Sequence, residues 1–314
     1  MEGGEFRSWD ELLPDALGLI FKKLSLQDIL TVIPRVCKSW GNVVAGPYCW
    51  QEINIEDWSR LQSQDKINRM VEMLVTRSCG SVRKLGVTGL SSERMLSFIA
   101  NHARNLQTLR LPSSQLSSPL VEQVAAKLTS ITFLDLSHCE KISGPALEVI
   151  GKNCKFLSGL RRVMRPLEVV DKDSQDDEAH AIATTMPKMK YLEMAYLVLS
   201  TGAVLEIISN CKDLEYIDLR GCWDVKLDEK VLKERHPKLE VVGPVVDEGS
   251  CWDMDDCSYY SDSSDYLAWD FVAGGIADYD DLSSDGWDDE QRLEELEMRF
   301  YEGVNQDIWD HSIF

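Results

Sequence analysis

The sequence has 314 residues, of which 44% are hydrophobic and 27% charged, and its formal net charge is −20 at pH 7. This length and apolar content suffice for a sizeable core and about two domains, and they argue against a collagen, a disulfide miniprotein or a membrane protein. The charge is concentrated at one end, because residues 245–314 hold 21 acidic residues and two arginines, whereas residues 1–244 hold 32 acidic and 31 basic residues. A balanced body with no basic face evident in its composition argues against direct nucleic-acid binding.

The nine cysteines form no CxxC pair and have no metal-ligand spacing with a histidine. A zinc site or a disulfide framework is therefore not expected. Residues 1–5 do not start a basic and apolar leader, and no window approaches the roughly 18 apolar residues of a membrane span. We expect free thiols in a reducing compartment, the cytoplasm or the nucleus, and no membrane partner.

Residues 8–50 contain the start and stop signals of three short helices. Pro14 suits a first helical turn, Ser25 and Asp28 mark the start of a second helix, and a third is expected to begin after Pro34. The apolar positions at helical spacing are Leu13, Leu17, Ile20, Phe21 and Leu24, then Leu26, Ile29 and Leu30, then Val36, Cys37 and Trp40. About forty residues bury little surface alone, so this segment is expected to pack against something else.

This pattern resembles the F-box family, matching it at Leu13, Pro14, Ile20, Phe21, Leu24, Leu26, Val36, Cys37, Lys38, Trp40 and Trp50. The resemblance implies binding to a Skp1-like adaptor and, through it, to the cullin and RING subunits of a ubiquitin ligase. The positions that it implies for adaptor binding are Leu13, Pro14, Leu17, Ile20, Phe21, Leu24, Leu26, Val36, Cys37 and Trp40. Ser25 replaces the usual proline of the family, but serine also caps a helix. The alternative is a helical cap that packs only on the protein's own body.

A repeated L-x-x-L-x-L signature follows, starting at residues 82, 106, 131, 157, 189, 214 and 239. Intervals of mostly 24 to 26 residues are typical of leucine-rich repeats, in which a strand and a helix stack on their neighbours. Cys139, Cys154, Cys211 and Cys222 fall at repeated positions that are expected to be buried, as in the cysteine-containing subtype that this array resembles.

One interval is longer, at 32 residues, and contains Arg165, Pro166 and the acidic run at 171–178. One interpretation is a solvated loop that leads into a helix start, where acidic side chains favour the helix dipole. The other is a protrusion that contacts a substrate, because insertions in repeat proteins emerge as loops.

Side chains that flank the middle residue of each strand are expected on the concave face of the array. Two columns result: an aromatic column of Thr108, Phe133, Gly159, Tyr191 and Tyr216, and a charged column of Arg110, Asp135, Arg161, Glu193 and Asp218. We predict that Phe133, Tyr191, Tyr216, Arg110 and Arg161 contact a protein substrate. For the charged column, a cross-strand charge ladder is the alternative.

The acidic tail, residues 245–314, also contains four Trp, five Tyr and three Phe. Its low content of Leu, Ile and Val predicts a mostly disordered segment. Aromatic residues in an acidic matrix are typical of segments that bind basic, partly apolar partners. We expect the tail to tune recruitment, with a helix at 290–300.

The sequence thus predicts an α+β protein: a three-helix F-box, a short α/β leucine-rich-repeat solenoid and a largely disordered acidic tail. The expected segments are an arm at 1–7, the F-box at 8–54, a linker or cap at 55–79, the repeats at 80–244 and the tail at 245–314. No catalytic motif, metal or cofactor is predicted. The predicted function is the substrate receptor of a Skp1–cullin–F-box ligase, with a non-degradative scaffold as the alternative. The arrangement resembles plant F-box proteins linked to turnover of Argonaute proteins, which implies an Argonaute-type substrate.

Overall fold

The computed structural model describes residues 9, 12–165 and 173–244. The first helices are α1 (Pro14–Phe21), α2 (Leu26–Thr31), α3 (Ile33–Val36) and α4 (Lys38–Ala45). The strands are β1 (Glu52–Asn54), β2 (Lys84–Gly86), β3 (Thr108–Arg110), β4 (Phe133–Asp135), β5 (Gly159–Arg161), β6 (Tyr191–Glu193), β7 (Tyr216–Asp218) and β8 (Glu240–Val242). Between and beside them lie α5 (Glu56–Arg60), α6 (Gln64–Arg77), α7 (Glu93–His102), α8 (Ser118–Ala125), α9 (Gly144–Asn153), α10 (Asp176–Thr185), α11 (Thr201–Asn210) and α12 (Glu229–Arg235).

The eight strands form one parallel sheet in chain order, so each strand pairs with the next one along the sequence. The middle residues are in register, as in the series Leu109, Leu134, Leu160 and Leu192. A parallel neighbour requires a long crossover, and α6 to α12 supply it. The leucine-rich repeats predicted from the signature period are therefore confirmed.

The sheet begins earlier than the first repeat signature, at β1 inside the residues assigned to the F-box. Ile53 pairs with Leu85, and α5 with α6 supplies the crossover between them. The segment expected to be a linker or cap is thus the helical part of a first repeat. Its signature was missed because Trp50, Ile53 and Ile55 occupy the leucine positions of the pattern. One continuous apolar core runs from Leu17 in α1 to Val225 after β7.

A tight turn recurs after the strands, four positions beyond the middle strand residue. The residues there have a positive φ between 54° and 73°, and they are Gly89, Ser113, His138, Tyr196 and Gly221. The next residue turns inward, as Cys139 and Cys222 do. Their Sγ atoms donate to the backbone O of Leu111 at 3.3 Å and of Met194 at 3.2 Å, each in the preceding repeat. The buried positions predicted for these cysteines are confirmed.

The N-terminal module contains four helices where three were predicted. Pro34 is the second residue of α3, not the start of a longer helix, and Cys37 has an extended backbone that separates α3 from α4. The predicted cap of α2 is confirmed, because Asp28 N donates to Ser25 Oγ at 3.1 Å. Nowhere in the described ranges is a helix both long and apolar enough to cross a membrane. The predictions for residues 1–7, 166–172 and 245–314 lie outside the described residues.

Candidate partner-binding surfaces

Two of the residues predicted to bind an adaptor lie in the core of the N-terminal module. Leu17 and Phe21 are each 1% exposed, and the Phe21 ring packs against Trp40 with 5.1 Å between ring centroids. Trp50 Nε1 donates to the backbone O of Val44 at 2.7 Å beside them. Because Leu17 and Phe21 are one helical turn apart, they share the inward face of α1. They hold the module together and are not accessible to a partner.

Other predicted residues are exposed and apolar, as a binding surface requires. Leu13 is 73% exposed, Ile20 44% and Val36 54%, and Pro14 is also exposed. The half-buried members of the predicted set are Leu24, Leu26, Cys37 and Trp40. Large solvent-exposed apolar side chains on neighbouring short helices are typical of a protein interaction site.

Sequence reasoning missed three further exposed residues in or next to the same helices. Leu12, Leu19 and Val32 are 37%, 66% and 51% exposed. Helical spacing alone does not assign Leu19 to the buried or the exposed face of α1, because residues 16–21 are all apolar. We name Leu12, Leu13, Leu19, Ile20, Val32 and Val36 the N-terminal apolar set.

The aromatic column lies on four adjacent strands of the sheet. Phe133, Gly159, Tyr191 and Tyr216 are register partners along β4 to β7. Gly159 accommodates the Phe133 ring, since a Cβ on the glycine would lie 2.5 Å from Phe133 Cδ2. Tyr191 is 52% exposed, and its hydroxyl donates to Glu215 Oε2 at 3.3 Å. The column presents aromatic surface on the face opposite the buried middle residues.

The charged column forms ion pairs across the strands, as the ladder alternative predicts. Arg110 contacts Asp135 Oδ2 at 3.6 Å, and Arg161 Nε lies 2.8 Å from Glu193 Oε2. Asp218 pairs with Arg220 at 2.8 Å within its own repeat. Arg110 and Arg161 are thus neutralised by neighbours, and their proposed contact with a substrate requires that these pairs be shared or broken.

Glu56 extends this ladder from the start of α5. Its Oε2 lies 3.2 Å from Arg110 Nη2, whereas the buried Oε1 has no hydrogen-bond partner in the described part of the chain. Burial raises the pKa of the Glu56 carboxyl, and Arg110 opposes this shift. Gly86 leaves space for the carboxylate, because a Cβ there would collide with Oε1. Sequence analysis missed Glu56, since it lies outside the strand pattern.

The acidic start of α10 binds neighbouring repeats. Asp176 Oδ1 accepts from Ser200 N at 2.8 Å, and Asp177 Oδ2 accepts from Gly144 N at 3.0 Å. Glu178 forms a buried ion pair with Arg162. The helix start is as predicted, and these three side chains are engaged in structural contacts.

The buried cysteines have no features of a nucleophile or a metal ligand. Burial raises the pKa of the Cys139, Cys154, Cys211 and Cys222 thiols to about 11, so the thiolate is disfavoured. Within the described ranges no cluster of His, Cys, Asp and Glu has the arrangement of a metal site. The thiols act as small buried groups that join successive repeats.

A helical N-terminal module joined through one core to strand–helix units defines a leucine-rich-repeat protein with a helical domain at its start. The family model described as F-box domain matches residues 9–52. F-box protein FBW2 of Arabidopsis thaliana is 55% identical over 92% of this chain and 93% of the relative. F-box protein SKIP19 of Arabidopsis thaliana is 31% identical over 89% of this chain and 95% of the relative. Putative F-box/LRR-repeat protein 23 of Arabidopsis thaliana is 28% identical over 72% of this chain and 51% of the relative. The chain belongs to the family of plant F-box proteins.

Proposed function

We propose that this protein is the substrate receptor of a Skp1–cullin–F-box ubiquitin ligase. The N-terminal apolar set binds a Skp1-like adaptor, and through it the cullin and RING subunits. The observation that carries the proposal is the exposure of Leu13, Ile20 and Val36 on helices whose own core is already complete. A cap that served only the protein's own body would turn these residues inward.

The repeats bind the substrate on the open face of the sheet, with Phe133, Tyr191 and Tyr216 as the main contacts. Aromatic side chains supply much contact area at low entropic cost. Arg110 and Arg161 take part as polar contacts through their ion pairs. The receptor itself catalyses nothing, because holding a substrate near the charged ubiquitin carrier raises the effective concentration. We propose that it acts in the cytoplasm or the nucleus on a protein substrate, with an Argonaute-type protein as the candidate.

The test is co-purification with a Skp1-like adaptor, cullin and RING subunit. The intact chain is compared with a Leu13→Ala, Pro14→Ala double variant, and circular dichroism establishes that both are folded. We expect the intact chain to retain the complex and the variant to lose most of it. If neither chain binds an adaptor, the scaffold alternative replaces the receptor.

The substrate face has its own test. Tyr191→Ala removes the most exposed aromatic side chain of the column, and Leu205→Ala, on α11, is the control with a similarly exposed apolar side chain. Proteins captured only after proteasome inhibition are compared. We expect Tyr191→Ala to reduce their capture several-fold while adaptor binding is unchanged, and equal capture by all three chains would contradict the assigned face.

A further inference from the structure

One edge of the repeat array carries a row of exposed basic residues. At this edge the helices end and the strands begin. Five successive loops each contribute one exposed basic residue, and these are Arg83, Arg104, Lys127, Lys155 and Lys188. The stretches 75–84, 100–108, 125–133, 150–159 and 185–191 contain nine Lys and Arg residues and no Asp or Glu. We name the five loop residues the basic row.

The loops that carry the basic row are stacked directly on one another. Gln107 N donates to Arg83 O at 2.8 Å, and the same ladder continues from Thr132 N to Gln107 O at 2.8 Å and from Lys190 N to Ser158 O at 2.8 Å. Neighbouring parallel strands lie about 4.8 Å apart, so the row extends over about 20 Å. The five basic residues therefore lie on successive, stacked loops of one edge of the array.

No carboxylate of the described residues forms an ion pair with the basic row. Lys127 Nζ donates to Asn101 Oδ1 at 2.7 Å, and Lys155 Nζ donates to Gly151 O at 3.2 Å. Lysines next to the row are neutralised, as Lys190 is by Glu215. Positive charge suits helix C-termini, which explains where the row lies. It leaves open which anionic groups balance the row.

An aromatic side chain is part of the same edge. Phe156 is 64% exposed, and Lys188 Nζ lies 5.6 Å from its ring centroid. The surface therefore suits a partner that supplies acidic groups together with aromatic rings, which pack on Phe156 and on the lysine and arginine side chains.

The chain itself contains a segment of this composition. Residues 245–314 have 21 acidic residues, two arginines and twelve aromatic residues. The segment starts after Pro244, beyond β8, at the opposite edge of a sheet whose strands are about 10 Å long. Seventy residues are long enough to return to the first edge. Because it is covalently attached, its effective concentration at the row exceeds that of a free acidic partner.

We propose that residues 245–314 bind the basic row of the same chain. The acidic side chains pair with Arg83, Arg104, Lys127, Lys155 and Lys188, and aromatic side chains contact Phe156. The tail then covers this edge, and a basic substrate competes with the row for the same acidic segment. The proposal does not depend on adaptor binding.

Carbodiimide cross-linking of the full chain tests it, because this reagent joins a lysine to a carboxylate only on direct contact. An equal mixture of ¹⁵N-labelled and unlabelled chains is cross-linked in low salt and in about 1 M salt, where the Debye length is about 3 Å. Peptide mapping compares Lys127, Lys155 and Lys188 with the exposed controls Lys23 and Lys141. We expect the row lysines to join the tail several-fold more often than the controls, within single chains, and to lose this advantage in high salt.

A charge-reversal variant makes the test independent of lysine reactivity. Arg104→Glu, Lys127→Glu and Lys155→Glu are combined, and the matched control combines Lys23→Glu, Arg94→Glu and Lys141→Glu. We expect cross-links from Lys188 to the tail to fall several-fold only in the row variant, with both variants folded by circular dichroism.

Three results would overturn the proposal. Equal cross-linking of row and control lysines would leave the row as helix-end charges only. Mixed labelled and unlabelled links, in the proportion that random pairing of the chains gives, would assign the row to the tail of a second copy. Row-dependent binding of a labelled oligouridylate by the intact chain would assign it to nucleic acid.

Discussion

Arg162 and Glu178 form a bidentate ion pair in the interior of the repeat array. Arg162 Nε and Nη2 donate to the two carboxylate oxygens at 2.9 and 3.1 Å, and both side chains are almost fully buried. Arg162 Nη2 also donates to the backbone O of Ile142 at 3.2 Å, and Gln175 Nε2 donates to Glu178 at 3.3 Å. The pair joins Arg162, the residue after β5, to α10 across the longest interval between repeats.

Removing one member of this pair should destabilise the protein strongly. Glu178→Gln leaves the Arg162 charge buried without its counterion, and we expect a loss of about 3–5 kcal/mol in the free energy of unfolding. The double variant Arg162→Met, Glu178→Leu removes both charges and should lose less. Urea unfolding of the natural chain and both variants measures this, and a double variant that is at least as destabilised as Glu178→Gln would contradict the assigned role of the pair.

Gly18 should be intolerant of any side chain. A Cβ at this position would lie 2.7 Å from Tyr48 Cβ and 2.8 Å from its backbone O, and a backbone oxygen has little freedom to move. We expect Gly18→Ala to cost about 1–3 kcal/mol through overpacking. Gly41→Ala in α4 is the matched control, since its nearest neighbour is at 3.4 Å and alanine favours a helix. A thermal shift of equal size in the two variants would contradict the assigned packing.

The buried thiols should react only after unfolding. Their pKa of about 11, raised by burial, favours the neutral thiol in the folded state, so their contribution to stability is present below about pH 9 and declines as the pH rises towards 11. We expect iodoacetamide at pH 8 to label the exposed Cys79 and to spare Cys139, Cys154, Cys211 and Cys222. Peptide mapping resolves each site, and early labelling of Cys139 would contradict the structure.

Glu56 should give a pH dependence of the opposite sign to that of an ordinary paired carboxylate. Burial raises its pKa, so the folded state holds the proton more tightly than the unfolded state. Its contribution to stability is therefore full below pH 4.5 and declines as the pH rises through the folded-state pKa. We expect the stability difference, Glu56→Gln minus the natural chain, to increase between about pH 4 and pH 7. Chemical unfolding across this range measures it, and a decreasing difference would show that the pair with Arg110 dominates.

The sequence predicted the repeat array because each strand signature buries the same positions in every unit. Leu109, Leu134 and Leu160 recur with the period of the fold, so their alignment follows from the spacing alone. The first repeat was harder to predict, because Trp50, Ile53 and Ile55 stand at signature positions where the other repeats mostly carry leucine.

The candidate surfaces were only partly predictable. Helical spacing found the apolar positions of α1 but did not separate Leu17, which is buried, from Leu13, which is exposed. The amino-acid composition did not predict the basic row, since residues 1–244 have almost no net charge. Each repeat contributes only one such basic residue. These residues form a charged edge only because the fold stacks the loops that carry Arg104, Lys127 and Lys155.

The binding constant for a Skp1-like adaptor tests whether the N-terminal apolar set is the adaptor-binding surface. Ile20→Asp places a charge in the N-terminal apolar set, and Leu205→Asp places the same charge on α11 at an equal exposure of 44%. Calorimetric titration of the intact chain and both variants gives the affinities, with circular dichroism as the folding control. We predict that Ile20→Asp weakens adaptor binding at least tenfold, about 1.4 kcal/mol, while Leu205→Asp binds like the intact chain. Equal affinities of all three chains would contradict the assignment of this surface.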